Sequence, residues 1–268
     1  MLEFAQSIAR RSGELLLERL SSHRTIDTKS TDRDLVTDAD RASEHWLVEA
    51  IRDRYPDHAI LGEEGTGDMS LLQKQGYTWV IDPLDGTVNY AHSLPIFCVS
   101  VGLLKDGIPH LGAVYIPRLD EMYSAEVGKG AHCNGTPLQV SSTPQLSQAV
   151  LATGFPYDKH QSDRNNLENF SVFTQQVRGI RRFGAAAVDL CLVAAGRLDG
   201  YWEEKLHPWD IAAGVVIVQE AGGVVTNYSG QPLHLEEGHV IAAGSALHPI
   251  MQDLLEPYTT RFQLGRTD

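Results

Sequence analysis

From about residue 145 onward the chain alternates short apolar runs with longer helical patterns, and that alternation restricts its fold more than any other feature. The run VLATG precedes a helical pattern near LENFSVFTQQV. The small-residue helix AAAVDLCLVAAG precedes LDGYWE, and WDIAAGVVIVQEAGG precedes VVTNY. HVIAAG then precedes a closing helix, ALHPIMQDLL. Gly196, Gly222 and Gly223 stand where helix C-caps belong, because a left-handed residue there lets the last carbonyls find partners. The first half is built differently. It opens with an amphipathic helix that carries Phe4, Ile8, Leu15, Leu16 and Leu20 on one face. The polar stretch SSHRTIDTKSTDRD reads as a loop or irregular hairpin. Asp38 and Asp40 open a second helix over RASEHWLVEAIRDRY, which Pro56 follows. Ala59 to Leu61 and Tyr77 to Ile81 read as strands, and short β segments fill Phe97 to Val127. Strands and helices interleave in both halves, which predicts an α/β (α+β) fold of sheets with helices between and outside them. The change of pattern places a boundary near 145, giving regions 1–145 and 146–268.

Composition narrows the function. At 268 residues the chain can bury a sizeable core as one large domain or two ordinary ones. No apolar run approaches the roughly 20 residues of a membrane-spanning helix. The N-terminal helix mixes acidic and basic residues throughout, unlike a signal peptide. Cys98, Cys133 and Cys191 are odd in number and widely spaced, which argues against a disulfide framework and for a reducing cytoplasm. They read as buried small hydrophobes. The formal net charge is -13, so the basic footprint of a nucleic-acid binder is missing.

The segment WVIDPLDGTVNYAH carries the chemistry. An apolar strand ends at Asp82, and Asp85 follows after Pro83 and Leu84. Strand ends are where α/β folds place ligand-binding groups. Pro83 is expected to stop the ladder and turn the chain, bringing both carboxylates to one side. Two unpaired carboxylates that close repel and raise each other's pKa, a penalty that a hard cation removes. Mg²⁺ suits such a site, with the Leu84 carbonyl as a further ligand and phosphate oxygens completing its shell. Gly86 and Thr87 then begin a short helix whose free N–H groups would suit a phosphate. Taken alone, each acidic feature also has an ordinary structural reading. Asp85-Gly86 is a common turn dipeptide, Glu63-Glu64 in LGEEG could be solvated, and Asp40 and Asp210 could be helix-start residues. The eleven histidines show no tight zinc spacing. Trp202 and Trp209 read as core or pocket wall. Arg181 and Arg182 read as structural, and the small residues of GAAAVDLCLVAAG predict close packing against a sheet.

In combination, GEEG, D-P-L-D-G-T and W-D-I-A-A-G resemble the two signatures and the acidic motif of the inositol monophosphatase family. DLVTDAD and GAAAVDLCLVAAG extend the resemblance from the first helix to the last. The resemblance implies a layered α-β-α-β-α sandwich of the sugar-phosphatase type, usually a homodimer. It implies Mg²⁺-dependent hydrolysis of a small phosphomonoester, with two or three metal ions per site and, in most members, inhibition by lithium. Glu63 and Asp82, with the Leu84 carbonyl, would ligate the first metal, and Asp82, Asp85 and Asp210 the second. A third ion would lean on Glu63. Asp40 and Thr87 would orient and deprotonate the attacking water, with Glu63 as the third catalytic side chain.

The same resemblance places Asp85, Gly86, Thr87, Gly184, Ala186, Glu203 and Asp210 against the substrate. Lys29 stands where a lysine is common near the metal site. Ala185 replaces a usual hydroxyl residue, and Phe183 is bulkier than its usual counterpart. The leading expectation is a cytoplasmic inositol-phosphate phosphatase that engages neither nucleic acid nor membrane. The alternatives are a fructose-1,6-bisphosphatase, a histidinol-phosphatase, a nucleotide phosphatase, or a regulatory interaction protein on the same fold. Glu203 favours a polyol among the esters, because a carboxylate accepts bonds from hydroxyl groups.

Overall fold

The computed structural model describes residues 1–20, 26–28, 35–65 and 68–255, with 26–28 and 35–37 as backbone only. Helices α1 (Leu2–Leu20) and α2 (Asp38–Arg54) lie on one face of a seven-stranded sheet. Its strands, in spatial order, are β3 (Ala59–Gly62), β4 (Tyr77–Asp85), β5 (Cys98–Lys105), β6 (Ile108–Ile116), β7 (Glu121–Glu126), β8 (Ala131–Cys133) and β9 (Thr136–Pro137). Only β3 and β4 pair in parallel; the rest of the sheet is an antiparallel meander. Upstream, β1 (Ile26–Thr28) and β2 (Leu35–Thr37) form the expected hairpin. Lys29 lies outside the described residues.

The second sheet is mixed and has the order β11 (Gly179–Arg181), β10 (Val150–Thr153), β12 (Gly200–Glu204), β14 (His239–Ala243), β13 (Val224–Thr226). Between the two sheets run α5 (Ala186–Ala194) and α6 (Pro208–Glu220). Beyond the second sheet lie α4 (Leu167–Thr174) and a helix over residues 248–255, with Phe173, Trp202, Leu247 and Met251 in a shared buried cluster. The layers are therefore α-β-α-β-α.

Small residues set the spacing of the middle layer. A side chain on Gly112 of β6 would collide with the backbone of Ala213 on α6, and one on Gly102 of β5 would press on Ala212. The α5 stripe differs from its expected role. It packs first on α6, where a Cβ at Gly214 would come within 2.5 Å of Leu190, and the sheets lie to either side. Helix against helix at this distance needs glycine or alanine at the crossing.

Strand β4 also departs from expectation. It does not stop at Ile81. Proline lacks a ladder donor, yet the strand continues through Pro83 and pairs again at Asp85. The register shifts between Asp82 and Asp85, where three steps on β4 face two on β5 (Asp82 opposite Ser100, Asp85 opposite Cys98). A bulge accommodates proline because the extra residue leaves the ladder. Thr87–Ala91 then forms the short helix α3. Cys98 and Cys191 are buried and Cys133 half-buried, all as free thiols.

Candidate active site

The bulge in β4 is held from both sides of the sheet. Below it, the Ser43 hydroxyl of α2 donates to the Pro83 carbonyl at 2.9 Å, and Ser43 in turn pairs with Ser12 of α1. Both serines are buried. Asp82 folds over its own turn, accepting the Leu84 N–H at 2.9 Å. Above the bulge, Gly86 adopts φ 91° and sits so close to the Ile96 carbonyl and Ala185 that any side chain would crowd both. This glycine is required twice, by conformation and by contact. The Thr87 hydroxyl donates to the Leu84 carbonyl at 3.2 Å. Asn89 of α3 donates to the Ile96 and Phe183 carbonyls, both at 2.7 Å, which fastens α3 to the chain entering α5.

These elements surround a cavity of about 310 Å³. Glu63 enters from the turn after β3, Asp82 and Asp85 from β4, and Asp210 from the first turn of α6. Leu84, Gly86, Thr87, Gly184, Ala186 and Glu203 line the same space. The acidic side chains that the sequence separates by up to 147 positions thus face one cavity. Asp40 is fully buried in α2 rather than on the cavity surface, and its carboxylate lies within 4.8 Å of those of Glu63 and Glu64.

Electrostatics mark this arrangement as incomplete without positive charge. Burial, and then the neighbouring Glu63, Asp85 and Asp210, hold the Asp82 carboxyl well above the usual carboxylate range. Asp210 is raised by burial and by Asp85 and Glu63, although it accepts the His207 N–H at 2.6 Å. Burial lifts Asp85 to about 7 even though the Ala187 N–H donates to it at 2.8 Å and the Cys98 thiol at 3.7 Å. Glu203, beside the buried Tyr201 whose hydroxyl donates to it at 2.7 Å, is likewise raised to about 7 by desolvation. An all-oxygen donor set at raised proton affinity fits a hard divalent cation, which favours the ionised form of every carboxylate at once.

Further residues shape the site. Glu64 stands beside Glu63 and joins the acidic cluster with Asp40. Glu44 of α2 is buried and accepts the Glu64 N–H at 2.6 Å, holding the turn that presents Glu63. It shares a helix with Asp40 one turn away, a spacing that could have pointed to it. Arg182, read from the sequence as structural, lines the cavity, whereas Arg181 is exposed and donates to its neighbour's carbonyl. Trp209 forms cavity wall, stacked on His207 at 4.8 Å, and Trp202 is core against Phe173.

Fold and site together define a hydrolase of the sugar-phosphatase class. The model of the inositol monophosphatase family matches residues 1–259. The inositol-1-monophosphatase of Synechocystis sp. is 44% identical over 262 residues, covering 98% of this chain and 91% of that one. The Nus factor SuhB of Pseudomonas aeruginosa is 41% identical over 261 residues, covering 96% of each. The solved inositol monophosphatase of Anabaena (Nostoc) sp. superimposes with a TM-score of 0.85 at 41% identity, over 96% of this chain and 95% of that one. The chain belongs to the inositol monophosphatase family, and like its namesake relatives it is a phosphatase.

Proposed function

We propose that the protein hydrolyses inositol monophosphate, releasing inositol and inorganic phosphate, with Mg²⁺ as its metal. The observation that carries this reading is the convergence of Glu63, Asp82, Asp85 and Asp210 on one cavity that also presents Glu203. The four carboxylates and the Leu84 carbonyl would hold two or three Mg²⁺ ions. Bound there, the metal supplies charge for the phosphate oxygens and acidity for a water. The chain's own residues do the remaining work. Asp40 and Thr87 orient the attacking water and receive its proton. Gly86, Thr87, Gly184 and Ala186 fix the ester against the backbone, Asp85 and Asp210 would hold the metal that offsets charge on its bridging oxygen, a water gives the leaving alkoxide its proton, and Glu203 accepts a hydrogen bond from a ring hydroxyl. The free thiols of Cys98, Cys133 and Cys191 suit a reducing cytoplasm, and the family resemblance supports a homodimer acting on a small molecule.

The test is a panel of inositol 1-phosphate, fructose 1,6-bisphosphate, histidinol phosphate and a nucleotide bisphosphate, assayed with Mg²⁺ and with chelator. The reading expects inositol 1-phosphate to give the highest kcat/KM and chelation to abolish turnover. A higher value for any other ester reassigns the substrate. A second reading, a regulatory interaction protein, is favoured by the similarity to a relative named as a Nus factor. Asp85→Asn separates the two: a cellular phenotype that survives the loss of turnover supports the interaction role.

A further inference from the structure

Lys205 is an unusual residue for its place. It follows β12 with φ 61°, in the left-handed region that disfavours a long side chain. Its neighbours hold it there. The Leu206 N–H donates to the Gly238 carbonyl at 2.8 Å, and Gly238 packs so tightly on Leu206 that it too must lack a side chain. From this fixed base the Lys205 ammonium reaches Asp158 Oδ2 and Ser162 Oγ, each at 2.7 Å. Asp158 and Ser162 are themselves one turn apart, since the Ser162 and Gln161 N–H groups both donate to the Asp158 carbonyl. One lysine therefore seals both ends of a single turn. A second link runs parallel to it, from Arg164 to the buried Glu204 at 3.6 Å.

The segment so fastened is a wall of the cavity. Phe155, Pro156 and Tyr157 line it directly, and Gly154 just before them abuts the Glu203 carboxylate. At its far end the buried Asn166 donates to the Gly154 carbonyl at 2.6 Å and to Thr153 Oγ1 at 2.8 Å, while the Trp202 indole N–H donates to Asn166 at 2.8 Å. The start of the wall is thus pinned by a buried network, and its middle is held by Lys205. An apolar wall beside a carboxylate suits a cyclic polyol, whose C–H face meets the rings while a hydroxyl meets Glu203.

We propose that Lys205 is a positioning residue: by clamping the Asp158–Ser162 turn it sets the Phe155–Tyr157 wall and so selects a cyclic alcohol in the ester. This rests on the phosphatase reading above and adds to it the element that discriminates between alcohols. A strained backbone retained for the sake of one side chain is the pattern expected of a functional clamp.

The test compares inositol 1-phosphate with glycerol 2-phosphate, an ester too small to span from the acidic residues to the wall. In Lys205→Met the ratio of the two kcat/KM values falls about tenfold, mainly through KM for the cyclic ester, because a displaced wall no longer orients the ring. Lys205→Arg restores most of the ratio, and Asp158→Asn added to Lys205→Met lowers it no further. Lys205→Gly relieves the left-handed backbone, so its melting temperature stays level or rises while the ratio still falls. Amide exchange over residues 157–164 quickens in both the Met and Gly variants. A general loss of fold would lower both substrates together and leave the ratio in place. An unchanged ratio with unchanged exchange overturns the proposal. If the wild-type enzyme hydrolyses neither ester, the inositol-phosphate reading fails, and unchanged exchange in Lys205→Met would separately remove the clamp.

Discussion

Asp85 accepts a hydrogen bond at 2.8 Å from the backbone N–H of Ala187, a residue 102 positions later in the chain. The contact joins the bulge of one sheet to the first turn of a helix in the middle layer, so the carboxylate caps α5 from outside. Asp85 also lines the cavity.

This division of labour gives Asp85→Asn a particular outcome. The amide oxygen can still accept from Ala187, so helix and fold persist. The cavity loses one anionic ligand, and removal of a ligand should cost at least as much as the roughly 10–100-fold typical of outer-shell changes. We expect kcat/KM to fall by that factor or more with a far-ultraviolet spectrum like that of the wild type. Circular dichroism and steady-state kinetics on one preparation check it.

With a metal held as proposed, cation and protons would compete for the same oxygens. Asp85, at about 7 in the folded protein against 3.8 ordinarily, binds its proton more tightly when folded. Stability from that proton is fully present below pH 3.8 and disappears as pH rises through 7. Asp82 and Asp210 are shifted in the same direction. The metal-free protein should therefore lose melting temperature between about pH 4 and 7. Mg²⁺ at 100 times its Kd should return about 2.7 kcal/mol at pH 7.5 and much less at pH 5. Thermal melts with and without chelator at both values test this.

Glu203 lines the cavity where the proposed reading places the alcohol half of the ester. Its carboxyl, raised to about 7, is a strong acceptor only when ionised. KM for inositol 1-phosphate should rise as pH falls below 7, and Glu203→Gln should raise KM by about tenfold or more and flatten that dependence. Gly154→Ala should act in the same direction by displacing the carboxylate it touches. KM measured from pH 6 to 8.5 in the three proteins decides the matter.

Packing of α6 on the first sheet leaves no room at Gly112. The obstacle is the Ala213 backbone, which cannot rotate away. Gly112→Ala should cost about 1–3 kcal/mol, lowering Tm by about 2–12 °C, with activity at 25 °C largely kept. A melting curve followed by an assay below the transition tests it.

Much of this was readable in advance because local chemistry and global fold agree. Alternating strands and helices, Gly196 and Gly222 at left-handed helix ends, and the carboxylates of D-P-L-D-G-T all stand where their residue types suggest. Gly223 is the exception among the caps: its φ is not left-handed, and it is small because Val218 and Val140 press on it. What escaped the sequence depends on distant partners. The spacing of Glu44 from Asp40 hints that it faces the site, but not that it will hold the Glu64 N–H 20 residues later. Arg182 stands one residue past the edge strand that ends at Arg181, and nothing local tells which of the two lines the cavity. Lys205 looks like any surface lysine until its backbone and its two acceptors are seen together.

The bulge in β4 also fixes a parity. Along a regular strand, positions three apart point to opposite faces. Asp82 and Asp85 would then flank the sheet, one in each layer of helices. Because the ladder skips a step, they stand opposite Ser100 and Cys98, which share a face of β5. Straightening the ladder through Pro83 and Leu84 with every residue kept would leave both acids in the chain and both layers intact, yet turn one of them to the wrong side, dividing the acidic pair by the thickness of a single sheet.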